Sequence, residues 1–429
     1  MKRRILFCIL KYLAKIIIWR YRPVIIGITG SIGKTTTKDA VAYVLSDKYR
    51  IGATRKNFNN EIGLPLTVLG EKTTPGKTFV GWWGVFFRAL LHIFYSQKYP
   101  EVLVLEMGID RPGDMKYLLS IVRPTIGIVT GASSTHLEFF KTIEAIAWEK
   151  GLLIRSLSKN GTALLNTDNM YSWSMRKDTA CRTILYGFSK KATIRAFNKA
   201  LLFEGDQKGV TFKLEYKEKV IPIRLKNVIG IHHIGAILPA IAIGELLEMN
   251  LLEIAKKLES FIPPPGRFRL IKGKNNSFLI DDTYNASPAS TRAGIISLGD
   301  FKKEEKILVL GDMLELGEEE KNLHSSLCED ILKIKPHKII LVGKRMKILF
   351  ESLQCFDKEK DIFHWVETPY EVSALIVPFL HENSLIFIKG SQAMRMELVV
   401  EELMENPQDA KKLLCRQNKE WKEIPFLKP

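Results

Sequence analysis

Gly27-Ile28-Thr29-Gly30-Ser31-Ile32-Gly33-Lys34-Thr35-Thr36 decides the fold of this chain. It closes the β-branched run Val24 to Thr29, which reads as a buried strand, and opens Lys34 to Ser46, which reads as a helix. A glycine-rich turn between a strand and a helix N-terminus cradles anions, because backbone N–H groups and the helix dipole converge on phosphate oxygens. Lys34 is placed to neutralise β- and γ-phosphates and the Thr35 hydroxyl to ligate Mg²⁺. The glycines fall at 27, 30 and 33, and Ile28 stands where the strict Walker pattern has its first glycine. Gly30, Ser31, Gly33, Lys34, Thr35 and Thr36 are the expected nucleotide ligands, and ATP and Mg²⁺ the expected cofactors.

Outward from the loop, Val102–Leu105, Ile126–Thr130 and Ala163–Asn166 read as further strands with helical stretches between them, the rhythm of a mostly parallel α/β sheet. Residues 182–224 carry short alternating strands, a β-rich annex to that sheet. Pro263-Pro264-Pro265-Gly266 cannot continue a helix and marks a domain boundary. Beyond it Phe278–Ile280, Ile307–Leu310, Ile339–Val342 and Leu385–Ile388 restart the α/β rhythm. The expected fold is α/β throughout. Residues 1–23 form a basic and apolar helix, 24–262 a central ATPase domain, and 263–429 a doubly wound, Rossmann-like domain.

A chain of 429 residues has room for these parts. The excess of 64 Lys and Arg over 47 Asp and Glu gives a net charge of +17, which favours anionic partners. The charge is spread along the chain, so nucleic acid is not an expected partner. Five cysteines lie far apart with no metal or redox spacing, which points to a reduced, cytoplasmic setting. Ile5 to Trp19 is apolar but interrupted by Lys11 and Lys15, too short and charged to span a bilayer. Arg4, Cys8, Lys11 and Lys15 share one narrow helical face. The stretch reads equally as an interfacial helix on the inner face of an anionic membrane or as a helix docked on the protein. Phe79 to Tyr95, aromatic and broken by Arg88 and His92, is a second such segment, with mutual packing of the two favoured.

The spacing Thr29-Gly30-Ser31-Ile32-Gly33-Lys34-Thr35 resembles the ATP loop of the Mur ligases, ATP-dependent amide ligases of cell-wall synthesis, and further motifs follow in family order. Asn57-Phe58-Asn59-Asn60-Glu61-Ile62-Gly63 is similar to the substrate segment of the MurF type. Leu105-Glu106-Met107-Gly108 resembles its metal-binding carboxylate motif, and Thr135-His136-Leu137-Glu138 with Lys150-Gly151 its histidine–lysine pair. Pro265-Gly266-Arg267-Phe268, Asp281-Asp282-Thr283-Tyr284-Asn285-Ala286-Ser287-Pro288, Gly311-Asp312-Met313-Leu314-Glu315-Leu316-Gly317 and Lys389-Gly390-Ser391 resemble its C-terminal motifs. The resemblance implies metal ligation by Thr35, Glu106, His136 and a carbamylated Lys150. It implies catalytic roles for Lys34, His136, Lys150 and Arg267, and nucleotide contacts from Arg267 and Asp282. Asn59, Asn60, Asn285, Ser287, Asp312, Glu315 and Lys389 are the implied substrate ligands. For Asn285 and Ser287, turn and helix-cap chemistry is an equal reading.

The implied reaction joins a D-alanyl-D-alanine-like dipeptide to a UDP-N-acetylmuramoyl-peptide carboxylate through an acyl phosphate, releasing ADP and phosphate, in a monomer. Two departures stand against it. The family normally has a domain ahead of the ATP loop that holds much of the nucleotide-sugar, whereas residues 1–23 precede the loop strand here. Gly230-Ile231-His232-His233-Ile234-Gly235-Ala236 stands where the family usually has asparagines, one of which normally helps to read adenine. A ligase for a lipid-linked or poly-amino-acid acceptor, and a membrane-docked ATPase without ligase activity, are the competing readings.

Overall fold

The computed structural model describes residues 2–55, 58–71, 73, 75–76, 79–95, 98–205, 207–302, 304–355, 362–424 and 426, with side chains from Ile5 onward and without those of Phe79 and Val80. Among the described residues fifteen strands form two sheets. The first holds β1 (Val24–Thr29), β2 (Ile51–Ala53), β3 (Val102–Glu106), β4 (Ile126–Val129), β5 (Thr162–Asn166), β6 (Arg182–Gly187), β7 (Ile194–Glu204), β8 (Gln207–Tyr216) and β9 (Lys219–Leu225), in the order β2-β3-β1-β4-β5-β6-β7-β8-β9. It is parallel as far as β7, and β8 and β9 then add antiparallel hairpins to its edge. The annex expected from the alternating pattern is thus continuous with the main sheet.

The second sheet holds β10 (Arg269–Lys272), β11 (Phe278–Asp282), β12 (Glu305–Gly311), β13 (Lys338–Val342), β14 (Phe363–Val366) and β15 (Ser384–Lys389), ordered β10-β11-β15-β12-β13-β14. Only β10 runs antiparallel to its neighbour. Buried side chains cover both faces of each sheet, so the inner strands are apolar on both sides. Ile26 and Ile28 are fully buried, and truncating either to Ala costs about 2–5 kcal/mol.

Parallel strands bring their C-terminal ends to one edge of a sheet. In the first sheet β1 lies between β3 and β4, which leave it on opposite sides. That reversal opens a crevice at the end of β1, where open α/β sheets bind ligands. In the second sheet the ends of β11 and β15 meet, with Asp282 opposite Lys389.

The helices that build the site are α1 (Lys2–Tyr21), α2 (Lys34–Leu45), α3 (Gly63–Val68), α4 (Phe79–Phe94), α5 (Asp114–Leu119), α6 (Leu137–Phe140) and α7 (Ile143–Arg155). α1 buries Leu10, Ala14 and Ile17 in the core of the first domain and packs on α3 and α4. Tyr21 Oη donates to the His92 carbonyl at 2.7 Å, tying the ends of α1 and α4 together. Both helices are docked on the protein, as one of the two readings required, yet each keeps an exposed apolar stripe.

Candidate active site

The glycine loop joins β1 to α2. Gly33 adopts φ 82 at the N-cap of α2, a left-handed conformation that strains any side chain. Gly30 has φ 148, and a Cβ there would collide with Thr130 Oγ1 at the end of β4. Both glycines let backbone approach where a phosphate would sit. Lys34 Nζ donates to the Gly30 carbonyl at 2.7 Å, folded over its own loop. Burial, outweighing the pull of Glu106, holds its pKa below the usual lysine range.

Glu106 ends β3 directly beside the loop, paired in register with Ile28. Its backbone N–H donates to Thr54 Oγ1 at 2.9 Å, and Asn59 Nδ2 donates to Oε1 at 3.2 Å. Oε2 is buried with no hydrogen-bond partner among the described residues. A buried carboxylate oxygen left free in this way is costly in the protein alone and suits a cation. Thr35 Oγ1 lies on the same crevice, 3.2 Å from Arg267 Nη2. Glu106 and Thr35 therefore fit Mg²⁺.

Lys150 lies on α7, buried to 2% exposure. Among the described residues its ammonium has neither a hydrogen-bond nor an ion-pair partner. Burial first, and then the nearby Lys34 charge, lower its pKa well below the usual value. Its neighbour Glu149 is engaged elsewhere, accepting from the Gly113 and Met115 N–H groups at the start of α5. Burial that weakens the hold of this amine on its proton favours the unprotonated form, which is nucleophilic toward carbon dioxide.

His136 sits in a left-handed conformation (φ 57) at the start of α6. Its Nδ1 lies 2.6 Å from Glu315 Oε2 of the second domain, and its Nε2 lies 3.7 Å from Asp110 Oδ1. Glu315 also has positive φ, at 63°. Two strained residues thus face each other across the domains. The close approach of the His136 imidazole is the main cause of a lowered Glu315 pKa. Glu315, expected on the substrate, meets the histidine expected on the metal.

Arg267 is presented by a clamp. Asp281 Oδ2 accepts from the N–H of Gly266 at 2.9 Å, and Asp282 Oδ1 accepts from that of Phe268 at 3.2 Å. The guanidinium stacks 4.0 Å from the Tyr284 ring and reaches Thr35 across the domains. His233 Nε2 donates to the Arg267 carbonyl at 3.1 Å, and burial pulls its pKa down to about 3 and that of His232 to about 4. Neutral imidazoles therefore line this hinge. Asp281, Tyr284, Asp110 and Thr54 are missed by motif reading, because each acts on a partner distant in sequence.

Several expected substrate ligands are committed to the protein itself. Asp282 pairs with Lys389 at 2.7 Å, and Lys389 also donates to the Asn285 carbonyl at 2.9 Å. The pair ties β11 to β15, so neither charge is free for a ribose or a substrate carboxylate. Asp312 has no exposure; its Oδ1 accepts from Met346 N–H at 2.8 Å, fixing the start of the helix Met346–Gln354. Asn285 Oδ1 accepts from Ala286 N–H at 3.0 Å, and Ser287 caps the helix Pro288–Leu298 through a reciprocal bond with Ser290. Asn60 Oδ1 takes the Gly63 N–H at 2.9 Å at the start of α3. In these places buried charge pairing and helix capping already engage the side chains, except at Asp312 Oδ2, which is buried with no hydrogen-bond partner among the described residues. Asn59 stays at the crevice through Glu106, and Asn57 lies outside the described residues. Beside them a cavity of about 340 Å³ is lined by Asn59, Asn60, Glu61, Asp110, Tyr117 and, from α1, Phe7.

Residues 28–80 and 88–244 match the model of the Mur ligase middle domain, and residues 266–392 that of the Mur ligase glutamate ligase domain. The chain belongs to the Mur ligase family. It is 31% identical over 402 residues to the UDP-N-acetylmuramoyl-tripeptide–D-alanyl-D-alanine ligase of Bacillus subtilis strain 168, covering 93% of this chain and 79% of that one. The Escherichia coli K12 ligase of the same name is 27% identical, over 89% and 77% of the two chains. Among solved structures, MurF of Acinetobacter baumannii superposes with a TM-score of 0.76 at 25% identity, over 92% of this chain and 80% of that one. MurF ligase of Thermotoga maritima in complex with ADP gives 0.74 at 25% identity, over 92% and 82%. The α/β expectation holds in both halves: a parallel sheet carrying the glycine loop, then a doubly wound sheet.

Proposed function

We propose that this chain is an ATP-dependent, ADP-forming amide ligase that joins D-alanyl-D-alanine to the carboxylate of a UDP-N-acetylmuramoyl-tripeptide. The observation that carries the reading is the crevice at the end of β1. Among the described residues Glu106 Oε2 lies buried there without a hydrogen-bond partner, beside a phosphate-binding loop, and Lys150 is buried to 2% exposure with no hydrogen bond or ion pair to its ammonium. The names of the relatives supply the substrates.

A carboxylate must be activated before an amine can attack it. The terminal phosphoryl group passes from ATP to the substrate carboxylate, giving an acyl phosphate and ADP. The dipeptide amine then attacks the acyl carbon and phosphate leaves. Lys34 exchanges its Gly30 carbonyl for phosphate oxygens, and the glycine loop holds them by backbone N–H groups. Thr35 and Glu106 would hold Mg²⁺, which would supply charge screening between phosphates and carboxylate. Arg267, clamped by Asp281 and Asp282, brings a cation from the second domain onto the transferring group. Domain contact keeps water from the intermediate.

Lys150, in its unprotonated form, takes up carbon dioxide, releasing a proton and becoming a carbamate. Together with His136 it would then offer a second metal ligand set, with His136 exchanging Glu315 for the cation. The reading places a monomer in the cytoplasm, touching the inner membrane face through residues 5–19 and 79–95. The exposed stripe of α1 favours one alternative, a lipid-linked carboxylate donor. The test is phosphate release with each substrate omitted in turn, with products identified by mass. Turnover that requires both UDP-N-acetylmuramoyl-tripeptide and D-alanyl-D-alanine supports the reading. Turnover only with a lipid-linked peptide moves it to the alternative, and AMP with pyrophosphate rejects it.

A further inference from the structure

We propose that α1 and α4 form one docking platform for a bilayer containing anionic lipid. The inference rests on the membrane contact read above and specifies its residues and its lipid chemistry. On α1 the exposed apolar side chains are Ile5, Ile9, Tyr12, Ile16 and Trp19; on α4 the described ones are Trp83, Phe87, Leu90 and Phe94. Trp19 is 74% exposed and Phe94 72%. The spacing in each helix is three or four residues, so each set forms a stripe along one side. The opposite side of α1 buries Leu10, Ala14 and Ile17, so its packing against the protein is already complete without the stripe. Ile5, Cys8, Ile9, Tyr12, Leu13 and Ile16 line a shallow apolar depression on α1. A soluble surface rarely concentrates large apolar residues in this way without a partner.

Charge decides which partner. No Asp or Glu occurs before Asp39, whereas Lys11, Lys15, Arg20 and Arg22 lie on or just beyond α1. By helical position Lys11 and Lys15 flank the stripe on one side and Arg20 on the other. A second copy of the chain would bring two such cationic rows together, which is repulsive. An anionic lipid surface meets both features: headgroups for the cations, and the acyl boundary for the stripe. Tryptophan and tyrosine, here Trp19 and Tyr12, favour that boundary. No described helix is long and apolar enough to cross a membrane, so the contact is peripheral. Phe7, on the inner side of α1, lines the cavity beside Asn59. Docking would therefore hold that cavity within roughly one helix diameter, about 10 Å, of the lipid.

The native thiols test this on the whole chain. Cys8 is exposed beside the stripe, and Cys355 is exposed in the second domain. Vesicles of phosphatidylcholine with phosphatidylglycerol are added, and alkylation of the two thiols is followed by peptide mass. The expected result is that Cys8 slows by about tenfold while Cys355 is unchanged, with protection lost at about 1 M salt, where the Debye length is about 3 Å. Phosphatidylcholine alone should protect weakly. The combined change Ile9→Ser, Tyr12→Ser, Phe87→Ser and Phe94→Ser should abolish co-sedimentation with vesicles and leave ATP turnover in their absence unchanged. Equal alkylation of Cys8 with and without vesicles would overturn the proposal. So would a lipid-free dimer that those four changes dissociate. Vesicle binding needs no turnover, so a failed ligase assay with Cys8 protected would reject only the substrate reading.

Discussion

The two sheets carry motif residues of the same kinds at the same edge, yet they treat them differently. At the end of β1 and β3, Glu106 keeps one buried oxygen unpaired and Lys150 has no partner among the described residues. At the ends of β11 and β15, Asp282 and Lys389 satisfy each other at 2.7 Å. Asn285 and Ser287 bond to nearby backbone, and Asp312 does so through Oδ1 alone, its buried Oδ2 keeping no hydrogen-bond partner among the described residues. Charge left unsatisfied in the protein is tolerated where a ligand completes it, and charge satisfied within the protein holds the scaffold. Substitutions should therefore cost activity in the first region and stability in the second.

The largest expected effect is at Lys34. Lys34→Ala should lower ADP formation by about 10³-fold, since it removes a preorganised cation from the transferring phosphate. Thermal unfolding should barely move, because the lysine bonds only its own loop. In the second sheet Lys389→Met leaves the buried Asp282 carboxylate without its counter-ion, which costs about 3–5 kcal/mol in denaturant unfolding. Full stability in that variant would break the comparison. Glu106→Gln should reduce turnover by about 10²-fold and raise the Mg²⁺ requirement, with stability unchanged or higher because the unpaired carboxylate is gone.

Smaller effects sharpen the boundary between the regions. Gly33→Ala forces a side chain into φ 82 and should cost about 1–2 kcal/mol, read by calorimetry. Glu315→Gln removes the His136 contact between the domains, worth under about 1 kcal/mol because the glutamate is half exposed. The Glu315 pKa is depressed in the folded protein. Its contribution is therefore full above the ordinary glutamate range and is lost as pH falls through the depressed value. Hydrogen exchange near α6 should show this acid dependence in the wild type and not in the variant.

The fold was largely legible because its signals are local. The run Val24 to Thr29 predicted β1 at its observed bounds, and glycine spacing predicted the loop. Strands as short as β2 and β14, with three and four residues, carry too little pattern to be read alone. In the site, Lys34, Thr35, Glu106, Asn59 and Arg267 gather at the crevice. Motif reading fails where partners are far apart in sequence. The Asp282–Lys389 pair spans 107 residues, and nothing in either motif announces that it neutralises the other. The contact between His136 and Glu315 is hidden for the same reason, as is the clamp that Asp281 and Asp282 form around Arg267.

Lys150 and Lys389 test the comparison most directly, since both are lysines buried to 2% exposure. Each is replaced by methionine, and ligation rate and melting temperature are measured for both variants over a range of pH in buffer free of carbon dioxide, with bicarbonate then restored. Burial holds the Lys150 pKa well below its usual value of 10.5, so protonation of this lysine opposes folding below that pH. Lys150→Met should lose turnover by about 10²-fold or more and melt at or above the wild type near neutrality, the gain shrinking as pH rises toward 10.5. Wild-type turnover should recover with bicarbonate, and that of the variant should not. Lys389→Met should melt well below the wild type. Equal melting losses in both variants, or full turnover in Lys150→Met, would contradict the account.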